Sequence, residues 1–70
     1  MYILQEIQTN SGVSALVPAQ TYTNKNEAES AYHLALSSAA ISTIEIHTVM
    51  LYDDRGMVWL CQTYEHPKED

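Results

Sequence analysis

The sequence predicts an α+β domain in which one helix covers one face of a four-stranded antiparallel sheet. Two segments rich in β-branched and aromatic residues flank a single alanine-rich segment, which favours strands on either side of a helix. Each flanking segment is divided by a short polar stretch that ends in glycine, which is typical of a hairpin. The predicted order is therefore strand, strand, helix, strand, strand (ββαββ), packed as two layers.

The first predicted hairpin joins residues 2–8, "YILQEIQ", to residues 13–17, "VSALV". Between them lies "TNSG", in which Gly12 can adopt the left-handed conformation that a tight turn requires. Pro18 follows the second segment and has no N–H to donate to a sheet. We expect it either to end this strand or to mark an edge of the sheet.

The helix is predicted to begin after Asn24, because Asn24 and Glu27 have the spacing of a capping box. It should run to about Ala40 or Ile41. Its charge-free run from Ser30 to Ile44 is unusual for a surface helix. At 100° per residue its small side chains share one face that can approach a sheet closely, namely Ala28, Ala31, Tyr32, Ala35 and Ala39.

The second predicted hairpin joins residues 42–52 to residues 57–64 through "DDRG", with Gly56 in the left-handed position. The residues that follow, 65–70, are mostly charged and are expected to form a frayed tail. The chain is therefore predicted to be a single domain over residues 1–64 with a charged C-terminal tail.

The composition is acidic, with a net charge of −6 from nine acidic and three basic residues. Lys25, Arg55 and Lys68 are far apart in sequence, so we expect no nucleic-acid binding, which needs clustered cations. No segment approaches the roughly 18 apolar residues of a membrane span, and the N-terminus lacks the features of a signal peptide. We expect a cytoplasmic protein.

A chain of 70 residues buries a small core and needs additional stabilisation. Its single cysteine, Cys61, cannot form an internal disulfide. Homo-oligomerisation or a permanent partner is therefore expected.

Apolar side chains on both sides of the last two strands exceed what one helix can cover. On the helix, Leu34 and Ile41 lie outside the alanine face, beside small serines. Isolated exposed apolar residues are normal, but the surplus on both elements favours a contact surface. The predicted partner or oligomer interface comprises Leu34, Ser37, Ser38, Ile41, Val49 and Leu51.

No residue pattern predicts catalysis, a metal or a cofactor. Cys61 lies in an apolar run and is expected to be a buried structural thiol, and Asp53 and Asp54 are expected to form a turn. No nucleophile, phosphate-loop or dinucleotide motif is present. The remaining candidate ligands have spacings that fit no metal signature, namely His33, Glu45, His47 and His66. We therefore expect a protein that is not an enzyme.

Three segments, "NEAESAYHLALSSAAIS", "IHTVMLYDDRG" and a late "YEH", resemble small acidic proteins encoded by phages and prophages of gut Firmicutes. The shared features are Tyr32 and His33 on the helix, His47 in a strand and the late His66. The resemblance implies a phage context, and with it the cytoplasm of the host cell, and no assigned activity. Small phage proteins of this kind are often accessory factors, including inhibitors of host defence.

Three functions are compatible with these observations. The first is a non-enzymatic oligomer that inhibits a host defence protein by direct contact, because an acidic protein can meet a basic groove. The second is an oligomer that sequesters a small nucleotide signal, with possible ligand contacts from Tyr32, His33 and Arg55 and with Tyr22 and Tyr64 as further stacking candidates. The third is a structural or assembly role in the virion.

Overall fold

The computed structural model describes residues 1–66 and has the predicted α+β fold. Strands β1 (Tyr2–Asn10) and β2 (Val13–Tyr22) precede helix α1 (Lys25–Ala40), and strands β3 (Ile46–Asp53) and β4 (Val58–Glu65) follow it. The strands form one antiparallel sheet in the order β2-β1-β3-β4. The two hairpins therefore meet at β1 and β3, which are central, while β2 and β4 are the edges. Within residues 1–66, no helix is long and apolar enough to cross a membrane.

The first hairpin is longer than predicted. β1 continues through Asn10, so the loop consists of Ser11 and Gly12 alone, with φ of 53° and 79°. Two successive positive φ values match the twist of the flanking strands in a two-residue hairpin. The prediction that Pro18 ends the strand is wrong, and the prediction that it marks an edge is confirmed. β2 is an edge strand, and its register against β1 shifts at a bulge beside Pro18, where no N–H is needed.

The helix begins and ends as the sequence predicts. The side-chain oxygen of Asn24 accepts hydrogen bonds from the backbone N–H groups of Asn26 and Glu27, at 2.8 and 3.2 Å, which satisfies two donors of the first turn. The side of α1 that faces the sheet is mainly alanine. Its buried residues are Ala28, Tyr32 and Ala39.

The second hairpin differs from the predicted strands, 42–52 and 57–64, at all four strand ends. β3 begins at Ile46, because residues 42–45 connect the end of α1 to the sheet. The turn between β3 and β4 is closed by a hydrogen bond from the Gly56 N–H to the Asp53 carbonyl at 3.0 Å, with Gly56 at φ 87°. The predicted tail of residues 65–70 starts too early, since Glu65 belongs to β4 and the His66 N–H donates to the carbonyl of Glu45. The rest of that tail, 67–70, lies outside the described residues.

Helix α1 covers the face of the sheet that carries Leu4, His47, Val49 and Leu51, all of which are buried. The register of the strands places a second set of side chains on the opposite side, away from α1. We call this second side the open face. It is defined by Ile3, Ile7, Met50 and Tyr52 on the central strands and by Leu16 and Val58 on the edges.

Candidate functional site

Four of the residues predicted at an interface lie together on the outside of the helix. Leu34, Ser37, Ser38 and Ile41 are all exposed, Leu34 to 70% and Ile41 to 86%. Their spacing places them on one side of the helix and its C-cap, away from the sheet. We call these four residues the outer helix patch. The side of α1 that faces water is therefore serine and apolar rather than charged.

The prediction that Val49 and Leu51 belong to an interface is wrong. Val49 and Leu51 have no exposed surface, because they belong to the side of β3 that α1 covers. Alternation along β3 separates their side from the side of Thr48 and Met50, but the sequence did not determine which side would receive the helix. Neither residue can touch a partner of the folded chain.

The open face is the surplus apolar surface that the sequence predicts for the sheet, but the prediction placed it at Val49 and Leu51, on the side that α1 covers. Ile3, Ile7, Met50 and Tyr52 are only half-buried, while Leu16 is 71% and Val58 51% exposed. The prediction that Cys61 is buried is also wrong, since Cys61 pairs with Met50 across the sheet and is an exposed free thiol on this face. The signal was present in β3, where apolar residues occupy both alternating sides although one helix can cover only one.

The residues proposed for a nucleotide are not brought together. Tyr32 is 4% exposed and cannot stack on a base. Burial, with smaller contributions from Cys61 and Tyr64, raises the pKa of its phenol, which therefore stays protonated. His33 is exposed on α1 beside Tyr32, with ring centroids 5.6 Å apart, while Arg55 lies in the turn between β3 and β4.

Arg55 lines a shallow pocket of about 360 Å³ at the end of the sheet. A bulge in β4 makes Trp59 an extra residue against β3 and redirects its side chain. The Trp59 indole then contacts Tyr2, with 6.2 Å between ring centroids. The Lys25 ammonium lies over the indole, 4.7 Å from its centroid. Without the bulge, strict alternation along β4 would place Trp59 on the same side as Cys61. The carboxylates of Asp53 and Asp54 line this pocket with Arg55, so a phosphate would meet two negative charges there.

Asp53 holds the β3–β4 turn through its side chain. One carboxylate oxygen accepts from the N–H groups of Arg55 and Met57, at 2.9 and 3.0 Å, and the other accepts from the Trp59 indole at 3.2 Å. The backbone bond from Met57, above all, holds the pKa of the Asp53 carboxyl below its ordinary value, although partial desolvation opposes this. This turn role agrees with the sequence prediction.

The stabilisation that ionised Asp53 gives the turn should be lost in acid. Because its pKa is lowered by folding, the contribution is complete above the ordinary carboxyl pKa and disappears as the pH falls through the lower folded value. The Trp59 indole N–H resonance should report this titration in an NMR series, with a midpoint below that of an ordinary aspartate. The variant Asp53→Asn should abolish the titration, and an unchanged acid shift in that variant would contradict the assignment.

A polar chain runs beneath the end of the helix. The Glu6 carboxylate lies 2.9 Å from His47 Nε2, and the Ser42 hydroxyl lies 3.3 Å from His47 Nδ1. His47 is 4% exposed, so these partners satisfy both ring nitrogens of a buried imidazole. Sequence inspection could not pair Glu6 with His47, because 41 positions separate them.

A hydroxyl, an imidazole and a carboxylate in a row can activate a nucleophile. Here Ser42 follows the C-terminal end of α1, where the backbone carbonyls create a negative potential that disfavours an oxyanion. The N–H of Ser42 donates to the carbonyl of Ala39 at 3.3 Å and so does not point at a reacting oxygen. We therefore interpret the chain as structural.

Within the described part of the chain, no three His, Cys, Asp or Glu side chains are grouped to hold a metal. The four candidates considered from sequence are divided among other contacts. His66 Nε2 hydrogen-bonds the Ala39 carbonyl at 2.9 Å and His47 contacts Glu6.

No protein-family model, curated protein or solved structure matches the chain. The function of this protein is therefore inferred from its own surfaces.

Proposed function

We propose that this protein is a non-enzymatic, oligomeric binding protein that inhibits a protein of the host's defence against phages by direct contact. The observation that carries the proposal is the outer helix patch, an uncharged apolar surface on a protein whose net charge is −6. Apolar area exposed beside polar residues is typical of protein-binding sites.

The charge distribution supports a basic target. Much of the acidic charge lies outside the outer helix patch, for example at Glu27 and Glu29 near the start of the same helix. Such an arrangement lets an apolar centre make contact while surrounding carboxylates attract a positively charged surface. Defence proteins that bind nucleic acid carry basic grooves of this kind. The resemblance to phage-encoded proteins supports the same class of target.

Charging the outer helix patch should abolish inhibition. The protein would be expressed in cells that carry one defence system at a time, and plaque formation by a phage that the system blocks would be counted. We expect the native chain to restore plaques against its target system and Leu34→Glu or Ile41→Glu to fail, because a buried unpaired carboxylate at an interface is strongly unfavourable.

The matched control is Gln20→Glu, which adds the same charge at an exposed position of β2 that lies opposite Leu4 and therefore not on the open face. It should inhibit like the native chain. The role of the patch is refuted if Leu34→Glu and Ile41→Glu both retain full inhibition. Inhibition of none of a broad panel of defence systems would refute the class of target.

A further inference from the structure

We propose that the open face is the surface through which two copies of this chain pair, sheet against sheet, with the two helices on the outside. The inference rests on the oligomeric part of the proposed function and assigns it to a surface. It follows from the apolar character of the face, from its internal hydrogen bonds, from its charge and from its area.

The open face is more apolar than the water-facing side of a sheet usually is. In an antiparallel sheet covered on one side, the uncovered strands normally carry polar side chains outward. Here the central strands present Ile3, Ile7, Met50 and Tyr52, and Leu16 on β2 is 71% exposed. The core on the covered side is small: its largest fully buried side chains are Leu51 and Val49. A second layer of sheet would give this chain the additional core that its length lacks.

Several polar groups of the open face are hydrogen-bonded within the face. The hydroxyls of Thr48 and Thr63 are 2.9 Å apart. Those of Thr9 and Ser14 are 2.8 Å apart. The amide of Gln5 donates to the carbonyl of Val17 at the bulge of β2. Burying a polar group is costly mainly when its hydrogen bonds are lost. Because these groups keep their partners when water leaves, they add little to the cost of covering the face.

The charge of the face selects a second copy as the occupant. Its four strands carry only one charged side chain on this side within the described residues, Glu65 at the end of β4. Two copies, each with a net charge of −6, repel one another least when they meet through such a surface. A basic partner would be attracted more strongly to the acidic remainder of the surface than to this nearly uncharged face.

The area of the face is sufficient for a dimer. Four strands spaced about 4.8 Å apart and eight residues long at about 3.3 Å each give a face of about 500 Å². Two copies would therefore bury about 1,000 Å² in total, the size at which specific interfaces begin. Two sheets packed face to face lie about 10 Å apart, as in β-sandwiches. The outer helix patch of each copy would remain exposed in this dimer, so each dimer would present two of them.

The mass of the native chain in solution tests this arrangement. We expect light scattering at micromolar concentration to give twice the 7.9 kDa of one chain. Met50→Glu and Leu16→Glu place a carboxylate on the open face and should give the monomer mass. Leu34→Glu adds the same charge to the outer helix patch and should remain dimeric. Leu16→Glu is the safer variant for folding because Leu16 is 71% exposed, and circular dichroism would establish that each variant keeps its secondary structure.

Cys61 supplies an independent readout because its thiol lies on the open face. Alkylation should be slow in the native dimer and several-fold faster in folded Leu16→Glu. A monomeric native chain would overturn the inference, and so would a dimer that dissociates with Leu34→Glu but survives both open-face variants. Failure of the proposed target is a separate outcome, because a dimer formed through the open face that inhibits no defence protein leaves this inference standing.

Discussion

Replacing Leu51 with alanine is expected to remove much of the folding free energy of this protein. Leu51 is fully buried between β3 and the helix, and truncating a buried leucine costs about 2–5 kcal/mol because contacts are lost and a cavity remains. Domains of ordinary size are stable by about 5–15 kcal/mol, and a short chain lies near the lower limit. The same substitution at Val49 should cost less, because fewer carbon atoms are removed.

Chemical denaturation would measure this effect, with Leu34→Ala as the matched control. Leu34 is 70% exposed, so the control should change the free energy of unfolding by no more than about 0.5 kcal/mol. All variants should be compared at one protein concentration, because assembly adds to the apparent stability. Equal effects at Leu51 and Leu34 would mean that the helix does not cover this side of the sheet.

The contrast between these two leucines shows what the sequence could predict. The alanine face of α1 and the cap at Asn24 depend on residues within a few positions of one another, so local pattern predicts them. The same pattern leaves Leu34 outside the alanine face, and the structure places it in water. Local chemistry also predicts the left-handed glycines of both turns, which have φ of 79° and 87°.

The side of the sheet that the helix covers could not be predicted, because β3 has apolar residues on both of its alternating sides. Long-range packing makes that choice. The helix lies over His47, Val49 and Leu51, where Leu4 of β1 and Leu60 of β4 are directly opposite Leu51 across the sheet. The bulge that turns Trp59 toward Lys25 is likewise a property of strand pairing rather than of local sequence.

Pro18 is a second position at which the local sequence cannot determine the structure. A proline is incompatible with a central strand but is tolerated on an edge. Which of the four strands becomes an edge depends on the order of the whole sheet. The sequence therefore leaves two outcomes open at Pro18, and only the pairing of β1 with β3 decides between them.

Removing the imidazole of His47 is expected to destabilise the fold because the carboxylate of Glu6 would lose its hydrogen-bond partner. His47 is buried, and the side chain of Glu6, 2.9 Å away, is 27% exposed. In His47→Leu the carboxylate of Glu6 and the hydroxyl of Ser42 would lose this partner. A buried polar group left without a partner costs about 1–3 kcal/mol, and the partial exposure of Glu6 places the expected loss in the lower part of that range.

The double variant Glu6→Leu/His47→Leu separates the net contribution of the pair to the free energy of unfolding from the cost of removing one partner alone. Replacing both members of a hydrogen-bonded polar pair by apolar residues can be close to neutral, whereas removing one member leaves the other without its partner. We therefore expect the double variant to be more stable than His47→Leu alone, although it carries one more substitution. The free energies of unfolding of the native chain, both single variants and the double variant give the coupling directly.

Glu27→Leu is the matched control for this cycle, because it removes an exposed carboxylate at the start of α1 while His47 lies below its far end. Its effect and that of His47→Leu should add to within about 0.5 kcal/mol. Additivity between Glu6 and His47 as well would mean that their contact contributes nothing. A strong coupling confined to Glu6 and His47 would instead show that this polar pair stabilises the observed alignment of β1 with β3 beneath the helix. That alignment also determines which apolar side chains remain on the open face, so the buried pair and the exposed surface depend on the same strand register.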